Sequence, residues 1–91
     1  METYKVIFSK EAAKDYAKIH KSYPGSQKTK VNKIIGFLYD NPYYDVFGWE
    51  HHKYTGRYSY ELNKKDRVYF TIDEREKVVN LLSCLGHYDD H

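Results

Sequence analysis

A histidine and a tyrosine stand side by side at the end of the last strand-like segment of the sequence. Gly86-His87-Tyr88 follows directly on an apolar run that ends at Leu85. A histidine can donate a proton near neutral pH, and a neighbouring phenol can orient it. An isolated pair of this kind usually belongs to a frayed tail, but a strand that runs straight into it can present both side chains at the edge of a sheet face.

Arg67 and Glu50 carry the groups that such a proton donor would need beside a phosphate. Arg67 offers a planar fork of donors that suits phosphate, although an arginine on a strand is more often solvated or paired with a carboxylate such as Glu61. Glu50 lies in Trp49-Glu50-His51-His52-Lys53. A carboxylate beside a phosphate-binding arginine can take the proton from a ribose 2′-hydroxyl, whereas a single surface glutamate is commonplace.

The sequence has no motif typical of metal or cofactor chemistry. Glu50 and four of the histidines could suggest a metal site, but no zinc-type spacing recurs and Cys84 is the single cysteine. A Walker loop, a glycine-rich dinucleotide turn and a nucleophile elbow are all absent. We therefore expect neither a metal nor a cofactor. The single cysteine excludes an intramolecular disulfide and suits a reducing compartment.

Two helices are predicted ahead of these residues. The segment from Tyr4 to Phe8 is a short strand candidate, and Ser9 is placed to cap a helix that follows it. Tyr23-Pro24-Gly25-Ser26 breaks the chain and offers Ser26 as a second cap. The second helix runs to about Asp40, because Asn41-Pro42 stops it. Its apolar stripe has helical spacing and consists of Val31, Ile34, Ile35 and Leu38.

Three antiparallel strands are predicted after an aromatic loop that runs from Tyr43 to Trp49. Turn signals separate them at Thr55-Gly56, at 63–66 and at 73–76. Alternation turns the apolar side chains toward the helices and leaves Ser59, Glu61 and Arg67 on the opposite, open face. A turn centred on 73–76 places Arg67 opposite about residue 82, which leaves His87 roughly 16 Å further along. Strand twist or a bulge would have to close that gap.

Length and composition fit one small globular domain over residues 1–91. Hydrophobic residues make up 41% and charged residues 31% of the chain, a balance that is globular rather than disordered. No apolar run approaches the ~20 residues needed to cross a bilayer, and the start has no signal-peptide pattern, so we expect a soluble, cytoplasmic protein. A net charge of +2 and eleven tyrosines permit RNA binding without demanding it.

The order of these pieces resembles the RelE/YoeB (Txe) family of toxins from type II toxin–antitoxin systems. The stretch from Thr55 to Tyr69 has the glycine, the aromatic-serine pair, the turn and the Arg-aliphatic-Tyr of their central motif. Gly86-His87-Tyr88 resembles their C-terminal His-Tyr, most closely on the YoeB side. The segment from Phe8 to Ala12 and the pair Asp15-Tyr16 match the family's first strand and helix.

The resemblance implies an α+β fold in which two N-terminal helices pack on one face of a curved antiparallel β-sheet. It also implies metal-free cleavage of messenger RNA in the ribosomal A site, silenced by a cognate acidic antitoxin; a homodimer is left open. Glu50 would be the general base, Arg67 would stabilise the phosphorane, His87 would protonate the leaving oxygen and Tyr88 would position the nucleotide. The basic residues expected to bind substrate are Lys53, Arg57 and Lys65.

Two questions stay open, the identity of the general base and the function itself. Tyr60 and Glu61 stand where the family usually has basic residues, so either Glu50 or Glu61 can be the base. Two other functions also fit the chain. One is a gyrase-inhibiting toxin on the same scaffold, which needs no His-Tyr pair; the other is a non-catalytic domain that binds protein through its tyrosine-rich surface.

Overall fold

Two helices cover one face of a five-stranded sheet in the computed structural model, which describes residues 3–87 and, at His87, the backbone. The elements are β1 (Lys5–Phe8), α1 (Lys10–Ser22), α2 (Gly25–Asp40), β2 (Glu50–His52), β3 (Arg57–Glu61), β4 (Asp66–Asp73) and β5 (Val78–His87). The strand order is β1-β5-β4-β3-β2, antiparallel from β2 to β5, with β1 added parallel to β5. The α+β fold expected from the sequence is confirmed, and the parallel edge pair makes the sheet mixed.

The two helices begin in different ways. Ser9 caps α1 as predicted, since its hydroxyl accepts a hydrogen bond from the Ala12 N–H at 2.9 Å. The prediction that Ser26 caps α2 is wrong: Pro24 is the N-cap and makes no side-chain cap bond, so Ser26 already lies inside the helix. The fixed φ of proline starts the helix earlier than the serine would. No helix within residues 3–87 is long and apolar enough to cross a membrane.

The core lies between the helices and the sheet. The stripe predicted for α2 is buried at Val31, Ile34 and Leu38, with Ile35 packed at its margin. From the sheet, alternate residues of β3 and β4 face the helices, as the alternation predicts; the buried ones are Tyr60, Val68 and Phe70, with Leu62 just after β3. In β5, whose facing the sequence left open, the buried residues are Val79, Leu81 and Cys84.

A short edge strand is the element that the turn signals did not predict. β2 has three residues and pairs antiparallel with β3, with Glu50 opposite Ser59 and His52 opposite Arg57. All three residues of β2 are polar or charged, so the strand lacks the alternation of apolar and polar residues that predicts the longer strands. Because side chains alternate, β2 sets Glu50 and His52 on the same face as Ser59.

The pairing of β4 with β5 differs from the predicted register. Arg67 lies opposite Gly86, and Asp66 lies opposite His87. The expectation that Arg67 faces about residue 82 is therefore wrong. The backbone of His87 stands one residue beyond the partner of Arg67, and the predicted gap does not exist.

Two features move the register. Residues 74–77 form the hairpin loop, so Asp73 pairs with Val78, and a regular ladder from that pair would bring Arg67 opposite Cys84. Register shifts on both sides of Tyr69 then carry the pairing two residues further. Shifts of this kind are β-bulges, in which one strand contributes extra residues to the ladder. One extra residue lies near Leu82, and the other in the stretch between Ser83 and Gly86.

A polar cluster ties the hairpin loop to the rest of the sheet edge. The hydroxyl groups of Tyr4 and Tyr43 donate to the Glu74 carboxylate at 2.9 and 2.7 Å, and Lys77 forms an ion pair with it. These donors, Lys77 first, lower the pKa of the Glu74 carboxyl to about 2. The cluster thus joins the start of β1, the loop after α2 and the β4–β5 turn.

Candidate active site

Arg67 is the centre of a polar cluster on the sheet face that the helices leave uncovered. Its Nε donates to Ser59 Oγ at 2.8 Å, its Nη2 donates to the Gly48 carbonyl, and the same Nη2 lies 3.7 Å from Glu50 Oε1. The residue is nevertheless only 8% exposed. The face is therefore the predicted one, but it is not open at this point.

Arg67 is covered by the connection between α2 and β2, residues 41–49, which contains the aromatic loop from Tyr43 to Trp49. Trp49 Nε1 donates to the Pro42 carbonyl at 2.9 Å, which closes the loop on itself. Gly48 has φ +64°, a conformation that suits glycine. A Cβ built there would also lie 3.2 Å from Glu61 Cβ and 3.3 Å from Glu61 Oε1. The loop thus holds a carbonyl over the guanidinium and packs against Glu61.

Ser59 links Arg67 to a second ring on β2. The serine is fully buried, and its Oγ lies 2.8 Å from His52 Nε2 as well as 2.8 Å from Arg67 Nε. On the other side of the ring, His52 Nδ1 lies 3.9 Å from Glu50 Oε2. Glu50, His52, Ser59 and Arg67 therefore form one chain of polar contacts across three strands.

The Ser59 hydroxyl can pair with His52 in either tautomer of the ring. Ser59 Oγ accepts from Arg67, which can only donate, and keeps one hydrogen and a second lone pair for His52 Nε2. Burial lowers the pKa of His52 and Arg67 lowers it further, against the opposing effect of Glu50. Because this pKa lies below its ordinary value of 6.5, the neutral ring predominates at pH 7.

The last strand approaches this cluster closely at Gly86. A Cβ built on Gly86 would lie 2.5 Å from Tyr69 Cδ2 and 2.9 Å from Ser83 Oγ. The Tyr69 ring lies in turn 5.5 Å from the His52 ring, centroid to centroid. A glycine is therefore required where β5 passes over Tyr69, opposite Arg67.

The remaining residues predicted for the site fall into two groups. The backbone of His87 stands opposite Asp66, but its side chain, like the whole of Tyr88, lies outside the described residues. Lys53, Arg57 and Lys65 are exposed. Lys53 and Arg57 flank His52 at the β2–β3 turn, whereas Lys65 lies in the β3–β4 turn, at the other end of the face. In the part of the chain that the structure describes, no three His, Cys, Asp or Glu side chains form a group able to hold a metal.

Sequence reasoning did not include His52, Ser59 or Tyr69 among the site residues. Alternation placed Ser59 on the correct face, and His52 entered only as a metal ligand. The signal that could have found His52 is its spacing of two from Glu50, which puts both on one side of a strand. That signal needs β2 to be recognised first.

Comparisons with known proteins extend the resemblance to three dimensions. No family model and no curated protein sequence matches the chain. Among solved structures, the YoeB dimer from Staphylococcus aureus superposes with a TM-score of 0.78 at 24% identity, covering 94% of this chain and 99% of that one. The YoeB/ParE toxin from Agrobacterium tumefaciens superposes with a TM-score of 0.80 at 17% identity, covering 92% of this chain and 99% of that one. A chain of the archaeal RelE–RelB complex from Pyrococcus horikoshii OT3 superposes with a TM-score of 0.74 at 21% identity, covering 97% of this chain and 99% of that one.

These matches run over nearly the full length of both chains. The protein therefore has the α+β fold of the RelE and YoeB toxins, as the sequence motifs led us to expect.

Proposed function

We propose that the protein is a RelE/YoeB-type toxin, a ribosome-dependent endoribonuclease that cleaves messenger RNA in the A site without a metal ion. One observation carries the proposal: the Arg67 guanidinium is fixed beside the Glu50 carboxylate, 3.7 Å away, on the strand position opposite Gly86. A cation held next to a carboxylate, with a histidine one residue further, is the set that phosphodiester transfer needs.

In the proposed reaction, the Glu50 carboxylate removes the proton of the ribose 2′-hydroxyl. The 2′-oxygen attacks phosphorus, and the bond from phosphorus to the 5′-oxygen breaks. His87 gives its proton to that leaving oxygen, and Tyr88 positions the nucleotide. The products are a 2′,3′-cyclic phosphate and a 5′-hydroxyl. The positive charge of Arg67, which is covered by the loop but lies 3.7 Å from the exposed Glu50 carboxylate, stabilises the extra negative charge on the phosphorane through space. Its fixed position avoids reorganisation during the step.

Local contacts favour Glu50 over Glu61 as the base. The Glu50 side chain is 45% exposed, so it can meet a substrate, and both of its oxygens face the Arg67–His52 chain. Glu61 stands opposite Arg67 in the β3–β4 ladder, but its side chain lies against Gly48 of the covering loop. His52 lies beside this carboxylate, with 3.9 Å between its Nδ1 and Glu50 Oε2, and its lowered pKa keeps the ring neutral at pH 7.

The exposed basic residues are proposed to bind the RNA backbone. Lys53 and Arg57 stand at the His52 end of the face and Lys65 at the Arg67 end, so a strand of RNA laid across the face would meet basic side chains at both ends. Contacts of this kind give affinity that falls with salt.

An acidic antitoxin is the proposed regulator. Several structures with this fold were determined as toxin–antitoxin complexes, among them YoeB–YefM from Staphylococcus aureus and RelE–RelB from Pyrococcus horikoshii. A YoeB dimer is also known, so a homodimer of this chain is a second association to measure.

The direct test is cleavage by purified protein on ribosomes programmed with a defined message. We expect a cut at the A-site codon with cyclic phosphate ends, and a loss of about 10²–10³-fold in rate for Arg67→Ala. His87→Ala should lose about 10²–10⁴-fold. Arg75→Ala is the matched control, because Arg75 is exposed in the hairpin loop at the far end of β4, and it should cleave normally.

Three outcomes would contradict the proposal. Normal cleavage by both Arg67→Ala and His87→Ala would refute the site assignment. Gyrase-dependent DNA damage with intact message would identify the gyrase inhibitor instead. Absence of both activities and of toxicity, with a folded protein, would leave a protein-binding domain.

A further inference from the structure

Helix α1 contacts β5 at the two places where the β4–β5 ladder is irregular. We propose that Asp15 and Ser9, on the helix side of the sheet, set the register of β5 and so bring Gly86 and His87 to Arg67. They are positioning residues for the site on the other face. The catalytic part of this inference rests on the proposed function, whereas the structural part does not.

The Asp15 carboxylate bonds the backbone of the larger irregularity. Its Oδ2 accepts from the N–H groups of Cys84 at 2.9 Å and Leu85 at 3.1 Å. These are the two residues that lie between the ladder pairs of Ser83 and Gly86. One carboxylate oxygen thus takes two consecutive amide hydrogens, and bonds from an amide to a charged oxygen are stronger than bonds between neutral groups.

Ser9 bonds the other irregularity. Its Oγ donates to the Leu82 carbonyl at 2.8 Å while it accepts from the Ala12 N–H. Its own N–H donates to the Leu81 carbonyl at 3.0 Å. Leu82 is the extra residue of β5, because Leu81 pairs with Phe70, Ser83 pairs with Tyr69, and no residue of β4 pairs with Leu82. The N-cap of α1 therefore holds the first extra residue, and Asp15, on the second turn of the helix, holds the second.

The alternative to this bulged strand is a regular ladder continued from the hairpin loop. It would bring Cys84 opposite Arg67 and move Gly86 two residues away, about 7 Å along the strand. His87 would move by the same distance. A shift of two residues along a strand leaves each side chain on the same face of the sheet. Gly86 would therefore still face the site in the regular ladder, and side-chain alternation at Gly86 does not exclude that register. The bonds from α1 and the burial of Cys84 favour the bulged register.

The test is the register itself, measured by NMR on the whole chain. In Asp15→Ala we expect the backbone NOE contacts between Arg67 and Gly86 to weaken and the Cys84 and Leu85 amides to exchange at least about tenfold faster. Contacts between Phe70 and Leu81, nearer the loop, should persist. Asp15→Asn keeps an acceptor oxygen and should restore most of the protection. Glu11→Ala, an exposed acid on the same helix, is the control and should change nothing.

Ser9→Ala provides a second, independent variant if Asp15→Ala does not fold. We expect it to disturb contacts around Leu82 and Ser83 and to spare those near the hairpin loop. On ribosomes, Asp15→Ala should lose at least about tenfold in cleavage rate, with Asp15→Asn recovering most of it. Intact Arg67–Gly86 contacts and unchanged exchange in Asp15→Ala would overturn the inference. The NMR result decides the register even if the wild type does not cleave, which separates this failure from that of the proposed function.

Discussion

Removal of one hydroxyl group, in Ser59→Ala, should both destabilise the protein and disorder its candidate active site. The Ser59 side chain is fully buried and is the shared partner of Arg67 Nε and His52 Nε2. Alanine fits the same space but offers no acceptor and no hydrogen. The Arg67 guanidinium and the His52 imidazole would lose the hydrogen-bond partner that they share.

The expected loss can be worked out from these two bonds. A hydrogen bond to a charged group contributes about 1.5–3 kcal/mol and a neutral one about 0.5–1.5 kcal/mol. Because Arg67 keeps its contacts with Gly48 and Glu50, we expect a loss of about 2–3 kcal/mol in the free energy of unfolding. For a domain of this size each kcal/mol shifts Tm by about 4–8 °C, so Tm should fall by roughly 10–20 °C.

The assay is thermal and urea unfolding of Ser59→Ala beside a matched serine variant. Ser26→Ala is the control, since Ser26 is exposed and makes no cap bond in α2. It should change stability by less than about 0.5 kcal/mol. A double-mutant cycle with His52→Ala isolates the bond between the two side chains, for which we expect a coupling of about 0.5–1.5 kcal/mol.

Under the proposed function, cleavage should fall as well, because a misplaced guanidinium stabilises the phosphorane less. We expect a loss of about 10–100-fold, smaller than for Arg67→Ala, since displacements near 1 Å have effects of this size. Two results would show that Ser59 does not stabilise the contacts from Glu50 to Arg67. One is a Tm for Ser59→Ala within about 3 °C of the wild type, and the other is a coupling energy of zero between Ser59 and His52.

Three further predictions concern stability and pH. Gly86→Ala should lower the free energy of unfolding by about 1–3 kcal/mol in urea, because its Cβ would lie 2.5 Å from the Tyr69 ring. An unchanged free energy would mean that the Tyr69 side chain can rotate away at little cost. The pKa of His52 is lowered, so as pH falls through 6.5 the unfolded chain binds the proton first and stability declines; an NMR titration midpoint above 6.5 would contradict this. The Glu74 carboxyl, with its pKa lowered to about 2 from 4.5, should contribute stability above pH 4.5 and lose it toward pH 2, and Glu74→Gln should flatten that part of the pH profile.

Patterns within single elements were sufficient to predict much of the fold. Helical spacing identified the buried face of α2, and alternation put Ser59 and Arg67 on one side of the sheet, because both patterns depend only on local geometry. Ser26 shows the limit even there: a serine at a chain break is a good cap, but the proline two residues earlier had already started the helix.

The features that could not be predicted are those decided by distant parts of the chain. The extra residues of β5 lie in a continuous apolar run, and such a sequence does not indicate whether the strand contains a bulge. Their hydrogen-bond partner Asp15 is on α1, about seventy positions earlier. The burial of Arg67 depends on the carbonyl of Gly48 in the aromatic loop. The strand that holds Glu50 and His52 is visible only once its partner β3 is in place.

The position of β5 has a consequence for how the protein is made. β5 is the last described element along the chain but lies between β1 and β4 in the sheet. Until residues 78–87 have been synthesised, the edge of β4 and the first strand have nothing to join them, and Arg67 lacks the strand that passes opposite it. The pairing of β1 with β5 joins residues about seventy positions apart, and pairings of that kind form slowly, whereas β4 and β5 form a local hairpin. A nascent chain therefore completes its candidate active site only after β5 has been synthesised and has left the ribosome.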